Sequence, residues 1–97
     1  RQWTVHPDAA ISEIGRTDVV FIPSLWVVPG ETFAGRHAAL REWIVQQYRG
    51  GALICAACTG TLLLAETGLL DGEAATTHWA YEHSMRRAYP RIDLHID

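Results

Sequence analysis

Apolar residues along the chain recur at two different spacings, one typical of strands and one typical of helices. Residues 18–22, which are apolar after Asp18, and residues 52–55 contain β-branched members. This predicts buried strands, the first covered on both faces as in a parallel sheet. Between them, residues 33–48 carry apolar side chains at helical spacing, which predicts a helix. Thr32 is expected to cap its start, and Gly50-Gly51 are expected to end it.

The second half of the chain continues this alternation. Residues 59–67 are mainly small and apolar and precede Gly68, which predicts a short helix ended by that glycine and then a strand leading to His78. Residues 80–88 predict a further helix, with two arginines in its last turn, where cations are favoured. Residues 92–97 alternate between apolar and polar side chains, which predicts a half-exposed strand.

Shorter segments connect these elements. Residues 1–5 predict a short strand, residues 8–15 a loop with about one helical turn, and residues 24–32 a loop containing Pro29-Gly30. Strands that alternate with helices in this way indicate an α/β sandwich with a mostly parallel sheet.

The turn between residues 55 and 59 carries the most informative candidate chemistry. A sharp turn from strand to helix requires small residues two positions before and after its centre, and Ala56 and Gly60 flank Cys58 in this way. This is the nucleophile-elbow arrangement with cysteine at its centre. Unpaired N–H groups at a helix start stabilise a thiolate relative to a thiol. The sequence therefore predicts that Cys58 is partly or wholly ionised near neutral pH.

Cys55 and Cys58 also form a Cys-x-x-Cys pair, which could indicate a redox pair or half of a zinc site. An extended segment of three residues would separate their Cα atoms by about 10 Å, whereas a disulfide requires less than about 7 Å. A second cysteine or histidine pair for zinc is not visible. Both alternatives are therefore disfavoured, and Cys55 is interpreted as a small buried hydrophobic residue. The remaining histidines are too scattered for a metal site: His6, His37, His83 and His95.

Composition narrows the possible classes of protein. The 97 residues are 48% hydrophobic and carry a net charge of −3, which fits one globular domain and gives no basic field for nucleic-acid contact. An apolar run long enough to span a membrane is absent from the sequence. Two cysteines do not suggest a disulfide framework, so a reducing, cytoplasmic location is expected.

Two runs in the second half of the chain match a known family. Residues 57–72 read Ala-Cys-Thr-Gly-Thr-Leu-Leu-Leu-Ala-Glu-Thr-Gly-Leu-Leu-Asp-Gly, and residues 75–79 read Ala-Thr-Thr-His-Trp. They closely resemble the ThiJ/PfpI superfamily, which has the class I glutamine amidotransferase-like fold, and most narrowly the amino-terminal domain of AraC-family transcriptional regulators. The resemblance implies a three-layer, flavodoxin-like α/β sandwich. Outside these two runs the similarity is weaker, but it extends over most of the chain.

The same resemblance implies that residues 1–97 are a ThiJ/PfpI-like domain incomplete at both ends. Family members begin with a central strand before the position of Arg1. They add a final strand and helix beyond the position of Asp97, and the AraC group then adds paired helix-turn-helix motifs. A longer protein is therefore expected.

By resemblance, Cys58 corresponds to the elbow cysteine, and His78 to a nearby histidine that accepts a proton or orients the thiol. Pro23-Ser24-Leu25 replaces the usual Pro-Gly-Gly, whose glycine N–H helps to form an oxyanion site. An acidic residue that commonly hydrogen-bonds the cysteine belongs to a strand that this sequence lacks. Thr59 stands where the proteolytic branch has histidine. These departures argue against enzymatic turnover.

Four residues are candidates for ligand contact. Ser24, Leu25 and Trp26 follow a predicted strand on the side where open α/β sheets bind ligands. Thr59 could supply a hydroxyl or a backbone N–H beside the sulfur. The structural alternatives are a packed loop for the first three and a plain helix start for Thr59.

The function implied by the resemblance is a regulatory sensing module. A small-molecule effector would bind at the turn, without cofactor or metal, and the protein would dimerise and contact DNA only through a separate helix-turn-helix domain. The alternative is a stand-alone enzyme using Cys58, such as an isonitrile hydratase, a glyoxalase-like hydrolase or an amidase. A third possibility is a folded domain with a vestigial pocket.

Overall fold

The fold alternates short strands and helices, as seen in a computed structural model that describes residues 4–28 and 31–96. The strands are β1 (Val19–Ile22), β2 (Leu53–Ala56), β3 (Ala74–Ala75) and β4 (Asp93–Leu94), and the helices are α1 (Ala38–Arg49), α2 (Gly60–Glu66) and α3 (Glu82–Ala88). Two single 3₁₀ turns occur at Ile11–Glu13 and Trp79–Tyr81. Within the described ranges, no helix has the length and apolar character needed to cross a membrane.

The strands pair in parallel, which confirms the predicted α/β class. β1 pairs with β2 with Val19 opposite Leu53, and β3 pairs with β4 with Ala75 opposite Leu94. Helix α1 connects β1 to β2, as a parallel pair requires. The described part of the chain forms two separate two-stranded ladders.

The core lies between the β1–β2 ladder and the helices. Helix α2 is buried along most of its length, from Gly60 to Ala65, because its apolar side chains leave no polar face. Ile44 of α1, Leu62 and Leu63 of α2, and Met85 of α3 are the largest fully buried side chains. The short apolar helix that follows the cysteine turn is therefore the centre of the core.

Strand β1 differs from its expected burial. Val20 and Ile22 are buried, but Val19 and Phe21 are 54% and 64% exposed. The prediction that this strand is covered on both faces is therefore wrong for the described residues. Its alternating burial shows that the surrounding elements of this segment cover only one face.

Helix α1 begins later than predicted. It starts at Ala38 with His37 as its N-cap, and the Thr32 hydroxyl instead accepts a hydrogen bond from the Ala34 N–H. Gly35 and His37 both have positive φ angles, 73° and 58°, so the chain changes direction twice before the helix. The prediction that Thr32 caps this helix is therefore wrong. Its end is as predicted, with Gly50 as the C-cap.

Near the two ends of the chain, some of the predicted elements are present and others are not. The predicted helical turn in residues 8–15 is confirmed at Ile11–Glu13. Thr4 and Val5 are not in a strand, so that prediction is wrong for them, while residues 1–3 lie outside the described residues. Near the other end, β4 is shorter than predicted but keeps its alternation, with Ile92 and Leu94 buried. Asp97 also lies outside the described residues.

A half-buried polar contact joins the end of α2 to the end of α3. The Tyr89 hydroxyl donates a hydrogen bond to a carboxylate oxygen of Glu66. Burial, and then this bond to an anionic acceptor, raises the pKa of Tyr89 above its usual value. The phenol therefore stays a donor at neutral pH and helps to hold the two helix ends together.

Candidate functional site at the strand-to-helix turn

Cys58 lies on a tight turn between β2 and α2. The strand ends at Ala56, the helix begins at Gly60, and Cys58 has a φ angle of 52°. A positive φ is unfavourable for residues with a Cβ atom, so surrounding contacts must hold this conformation. Cys58 is exposed. The predicted turn from strand to helix is therefore present, with an exposed thiol at its centre.

Gly60 explains why this turn needs a small residue on its helical side. A Cβ atom at this position would lie 2.5 Å from the carbonyl oxygen of Pro23 and 2.6 Å from that of Ile22. Both oxygens belong to the backbone at the end of β1, which cannot easily move. The start of α2 therefore packs directly against the end of β1.

Cys55 has a different environment from Cys58. It lies in β2 opposite Phe21 and is half-buried, and both cysteines are free thiols. The structure corrects the interpretation of Cys55 as a small buried hydrophobic residue, because the side chain is only half-buried in a strand that is partly exposed. Among residues 4–28 and 31–96, no cluster of three or more metal-type ligands occurs.

The Thr59 hydroxyl connects the turn to the loop after β1. It donates to the carbonyl oxygen of Leu25 over 2.6 Å and accepts from the Leu25 N–H over 2.8 Å. The Ser24 hydroxyl lies 3.0 Å from the same oxygen. Because the single proton of Thr59 goes to Leu25, Ser24 must be the donor in its contact with Thr59. The Thr59 hydroxyl is then fully used within the protein, and its role in ligand contact stays a prediction.

The other predicted loop residues lie at the carboxyl end of β1. Ser24 is exposed, Leu25 is half-buried, and Trp26 is 88% exposed. The structure thus brings Ser24 and Leu25 to the turn through Thr59, while Trp26 projects into solvent. Their roles in ligand contact stay predictions.

His78 is exposed near an aromatic group. Its Nδ1 accepts a hydrogen bond from the Ala80 N–H over 3.1 Å, and its ring centroid is 5.1 Å from that of Trp79. In the described ranges no hydrogen bond joins His78 to Cys58. The role of His78 as a proton acceptor therefore stays a prediction.

Thr77 was not singled out from the sequence, yet it contacts the turn directly. Its hydroxyl donates a hydrogen bond of 3.1 Å to the carbonyl oxygen of Cys58. Thr77 is buried, and it immediately precedes His78. The pair of threonines before His78 is the sequence feature that could have drawn attention to Thr77. Its hydrogen-bond partner, Cys58, lies nineteen positions earlier and cannot be identified from local patterns.

A cavity of about 240 Å³ opens beside Cys58, and we call it the Cys58 cavity. Its walls come from β2, α2 and the segment around β3. The lining residues are Ile54, Ala56, Cys58, Thr61, Leu64, Leu70, Ala74, Ala75 and Thr76. Apolar walls with a few hydroxyl groups and one thiol suit a small molecule that is partly apolar. Of the predicted site residues, only Cys58 belongs to this lining, and the other five lie outside it: Ser24, Leu25, Trp26, Thr59 and His78.

Parallel strands, a cysteine on the strand-to-helix turn and a buried α2 define an α/β domain with a candidate ligand site at that turn. The chain belongs to the DJ-1/PfpI family, whose model matches residues 1–92. This confirms the resemblance to the ThiJ/PfpI superfamily.

Several relatives are regulators of transcription. The chain is 31% identical over 91 residues to the HTH-type transcriptional regulator CdhR of Pseudomonas aeruginosa, a match that covers 94% of this chain and 26% of CdhR. It is 35% identical over 68 residues to the HTH-type transcriptional regulator ArgR of the same species, covering 70% of this chain and 21% of ArgR. The chain thus spans about a quarter of the length of these curated relatives.

A solved structure that is similar to this chain is also described as a transcriptional regulator. An enzyme is similar to a shorter region of the chain. A crystal structure of a candidate transcriptional regulator from Vibrio parahaemolyticus superposes with a TM-score of 0.82 at 29% identity, covering 95% of this chain and 50% of that one. The isonitrile hydratase of Pseudomonas putida is 45% identical over 40 residues, which covers 41% of this chain and 18% of the enzyme.

Proposed function

We propose that this chain is the ligand-sensing domain of an AraC-family transcriptional regulator with a ThiJ/PfpI-like fold. The observation that carries the proposal is the extent of similarity to regulators. The match to CdhR covers 94% of the chain, whereas the match to isonitrile hydratase covers 41%. The match to CdhR thus extends over nearly the whole segment, including the parts outside the cysteine turn, and the match to ArgR covers 70% of it.

The Cys58 cavity is the proposed effector site. Its volume of about 240 Å³ and its mixed polar and apolar lining fit a small metabolite. Cys58 and the Thr59 N–H would contact the effector from the nucleophile elbow, in the places where related enzymes hold a nucleophile and an oxyanion donor. Ser24, Leu25, Trp26 and His78 would approach it from the neighbouring loops.

Two hydrogen bonds support sensing over turnover. The Leu25 N–H, in the segment where the family usually has Pro-Gly-Gly, donates to the Thr59 hydroxyl instead of pointing at an open oxyanion site. The Nδ1 atom of His78 accepts from a backbone N–H, so this nitrogen is not available as a base for Cys58. The turn therefore has an exposed cysteine, but the Leu25 N–H and the His78 Nδ1 atom are already hydrogen-bonded within the protein. Such a site is better suited to binding than to catalysis.

The remaining functions would belong to the whole protein. We expect a cytoplasmic homodimer that contacts DNA through a separate carboxyl-terminal helix-turn-helix domain and needs no cofactor for sensing. The net charge of −3 of this segment agrees with a domain that does not itself bind DNA.

The test uses the intact protein and sheared DNA from its own genome. Captured fragments are sequenced, and the affinity for an enriched site is then measured by fluorescence anisotropy with a library of small metabolites. We expect specific fragments, and at least one class of metabolite that changes DNA affinity about tenfold. Cys58→Ala should weaken this response, whereas the matched variant Cys55→Ala should leave it intact. Failure of the intact protein to enrich any sequence would refute the regulator proposal.

The enzyme alternative rests on the local match to isonitrile hydratase and on the exposed thiol of Cys58. Incubation of the intact protein with an alkyl isonitrile separates the two functions. The sensing proposal predicts loss of the isonitrile at the same rate with wild type and with Cys58→Ala. Rapid turnover that disappears in Cys58→Ala would favour the enzyme.

A further inference from the structure

The backbone of Cys58 is held by one side chain from a distant segment, that of Thr77. The Thr77 hydroxyl donates to the Cys58 carbonyl oxygen over 3.1 Å. The same oxygen also accepts from the Thr61 N–H over 3.1 Å, but that bond lies within the first turn of α2. In residues 4–28 and 31–96, Thr77 is thus the side chain that fixes this carbonyl group relative to the rest of the fold.

The conformation of Cys58 makes such a restraint important. With φ at 52°, Cys58 is in the left-handed region, which residues other than glycine occupy only when their surroundings require it. If the carbonyl group lost its tertiary hydrogen bond, the backbone could relax towards negative φ. Because the Cα–Cβ direction depends on φ, that relaxation would turn the sulfur away from its exposed position.

Thr77 also lies at the junction between the two walls of the Cys58 cavity. Ala74, Ala75 and Thr76 line one side of the cavity, and Cys58 and Thr61 line the other. Thr77 directly follows the first wall, and its hydroxyl reaches the second. His78 comes next in the chain, so the same hydrogen bond also fixes the start of the segment that carries this histidine.

We propose that Thr77 is a positioning residue whose hydroxyl fixes the direction of the Cys58 sulfur and joins the two walls of the Cys58 cavity. Its importance for sensing rests on the proposed function. A ligand that displaces one wall would act on the other through this bond. The geometric part of the proposal concerns the thiol alone and needs neither an effector nor DNA.

The test measures how fast iodoacetamide alkylates Cys58 in the intact, folded protein, by mass spectrometry of the peptide that contains it. Thr77→Val keeps the shape of the side chain and removes the donor. We expect alkylation of Cys58 to slow about fivefold. Loss of one neutral hydrogen bond lowers the population of the conformation with the exposed sulfur by about that factor. Thr77→Ser, which keeps the hydroxyl, should restore a rate near that of wild type.

Two controls separate positioning from general loosening of the fold. Thr17→Val removes a threonine hydroxyl that donates to a backbone carbonyl elsewhere, that of Val19, outside the lining of the Cys58 cavity, and should leave the rate unchanged. Alkylation of half-buried Cys55 reports unfolding, since an unfolded chain exposes both thiols equally. If Thr77→Val does not fold, Thr77→Ala is compared with Thr77→Ser, and the alanine variant should be slower.

The proposal is overturned if folded Thr77→Val alkylates at the wild-type rate or faster, or if Thr77→Ser reacts as slowly as the valine or alanine variant. Since the assay contains no DNA, such a result would leave the regulator proposal standing. Conversely, failure of the intact protein to bind DNA would leave the assignment of Thr77 untouched.

Discussion

Replacing Gly60 with alanine should destabilise the protein by about 3 kcal/mol or prevent it from folding. The added methyl group would lie 2.5 Å from the Pro23 carbonyl oxygen and 2.6 Å from the Ile22 carbonyl oxygen. Neither oxygen can move without disturbing the end of β1. Alanine favours helices over glycine by about 1 kcal/mol, so propensity alone predicts the opposite sign. Urea unfolding of the intact protein decides between the two effects.

Gly15→Ala is the matched control for this prediction. No atom lies within 4 Å of a Cβ placed at Gly15, and its φ angle is not positive. We expect a change in unfolding free energy within about 0.5 kcal/mol. Gly60→Ala with unchanged or increased stability would show that the start of α2 does not pack against the end of β1.

Replacing Thr59 with valine should cost about 2 kcal/mol of stability and release the loop after β1. Valine keeps the shape of the side chain but removes the oxygen that contacts the Leu25 N–H, the Leu25 carbonyl and the Ser24 hydroxyl. At this buried position, water cannot easily replace the lost partner. Hydrogen exchange adds a local measurement, because the Leu25 amide should exchange faster once its acceptor is gone.

Thr61→Val provides the control for the loss of a threonine hydroxyl. Thr61 is also buried in α2, but in the described part of the chain its hydroxyl has no hydrogen-bond partner. We expect little change in stability and no change in exchange at Leu25. Equal effects of the two variants would contradict the assignment of Thr59 as the anchor of this loop.

The sequence predicted the cysteine turn because local rules determine it. Small residues at positions 56 and 60 permit a sharp turn, and Gly68, with a φ angle of 82°, ends the following helix as glycines do. Each of these signals lies within a few residues of the feature it determines. The parallel pairing of β1 and β2 was predicted from the order strand, helix, strand, because parallel strands require a long connection that is usually a helix.

Other features depended on contacts that a local pattern does not contain. The start of α1 is set by a left-handed His37, which propensity rules do not anticipate. Burial of β1 on one face depends on which elements pack against it. The partners of Thr59 and Thr77 are 34 and 19 positions away, so their roles became visible only when the fold placed these segments together.

The surroundings of Cys58 combine an exposed thiol, a cavity beside it and a loop that is held by the hydrogen bond from the Leu25 N–H to the Thr59 hydroxyl. In such a site, binding energy can stabilise one arrangement of the surrounding segments instead of a transition state.

Brief labelling of the intact native protein with iodoacetamide, followed by mass spectrometry of both cysteines, shows whether the Cys58 thiol stands exposed on a tight turn beside a cavity while Cys55 is shielded in its strand. We expect Cys58 to be modified first and Cys55 to react much more slowly until the protein is denatured. Equal labelling of the two thiols in the native protein, or faster labelling of Cys55, would contradict this expectation.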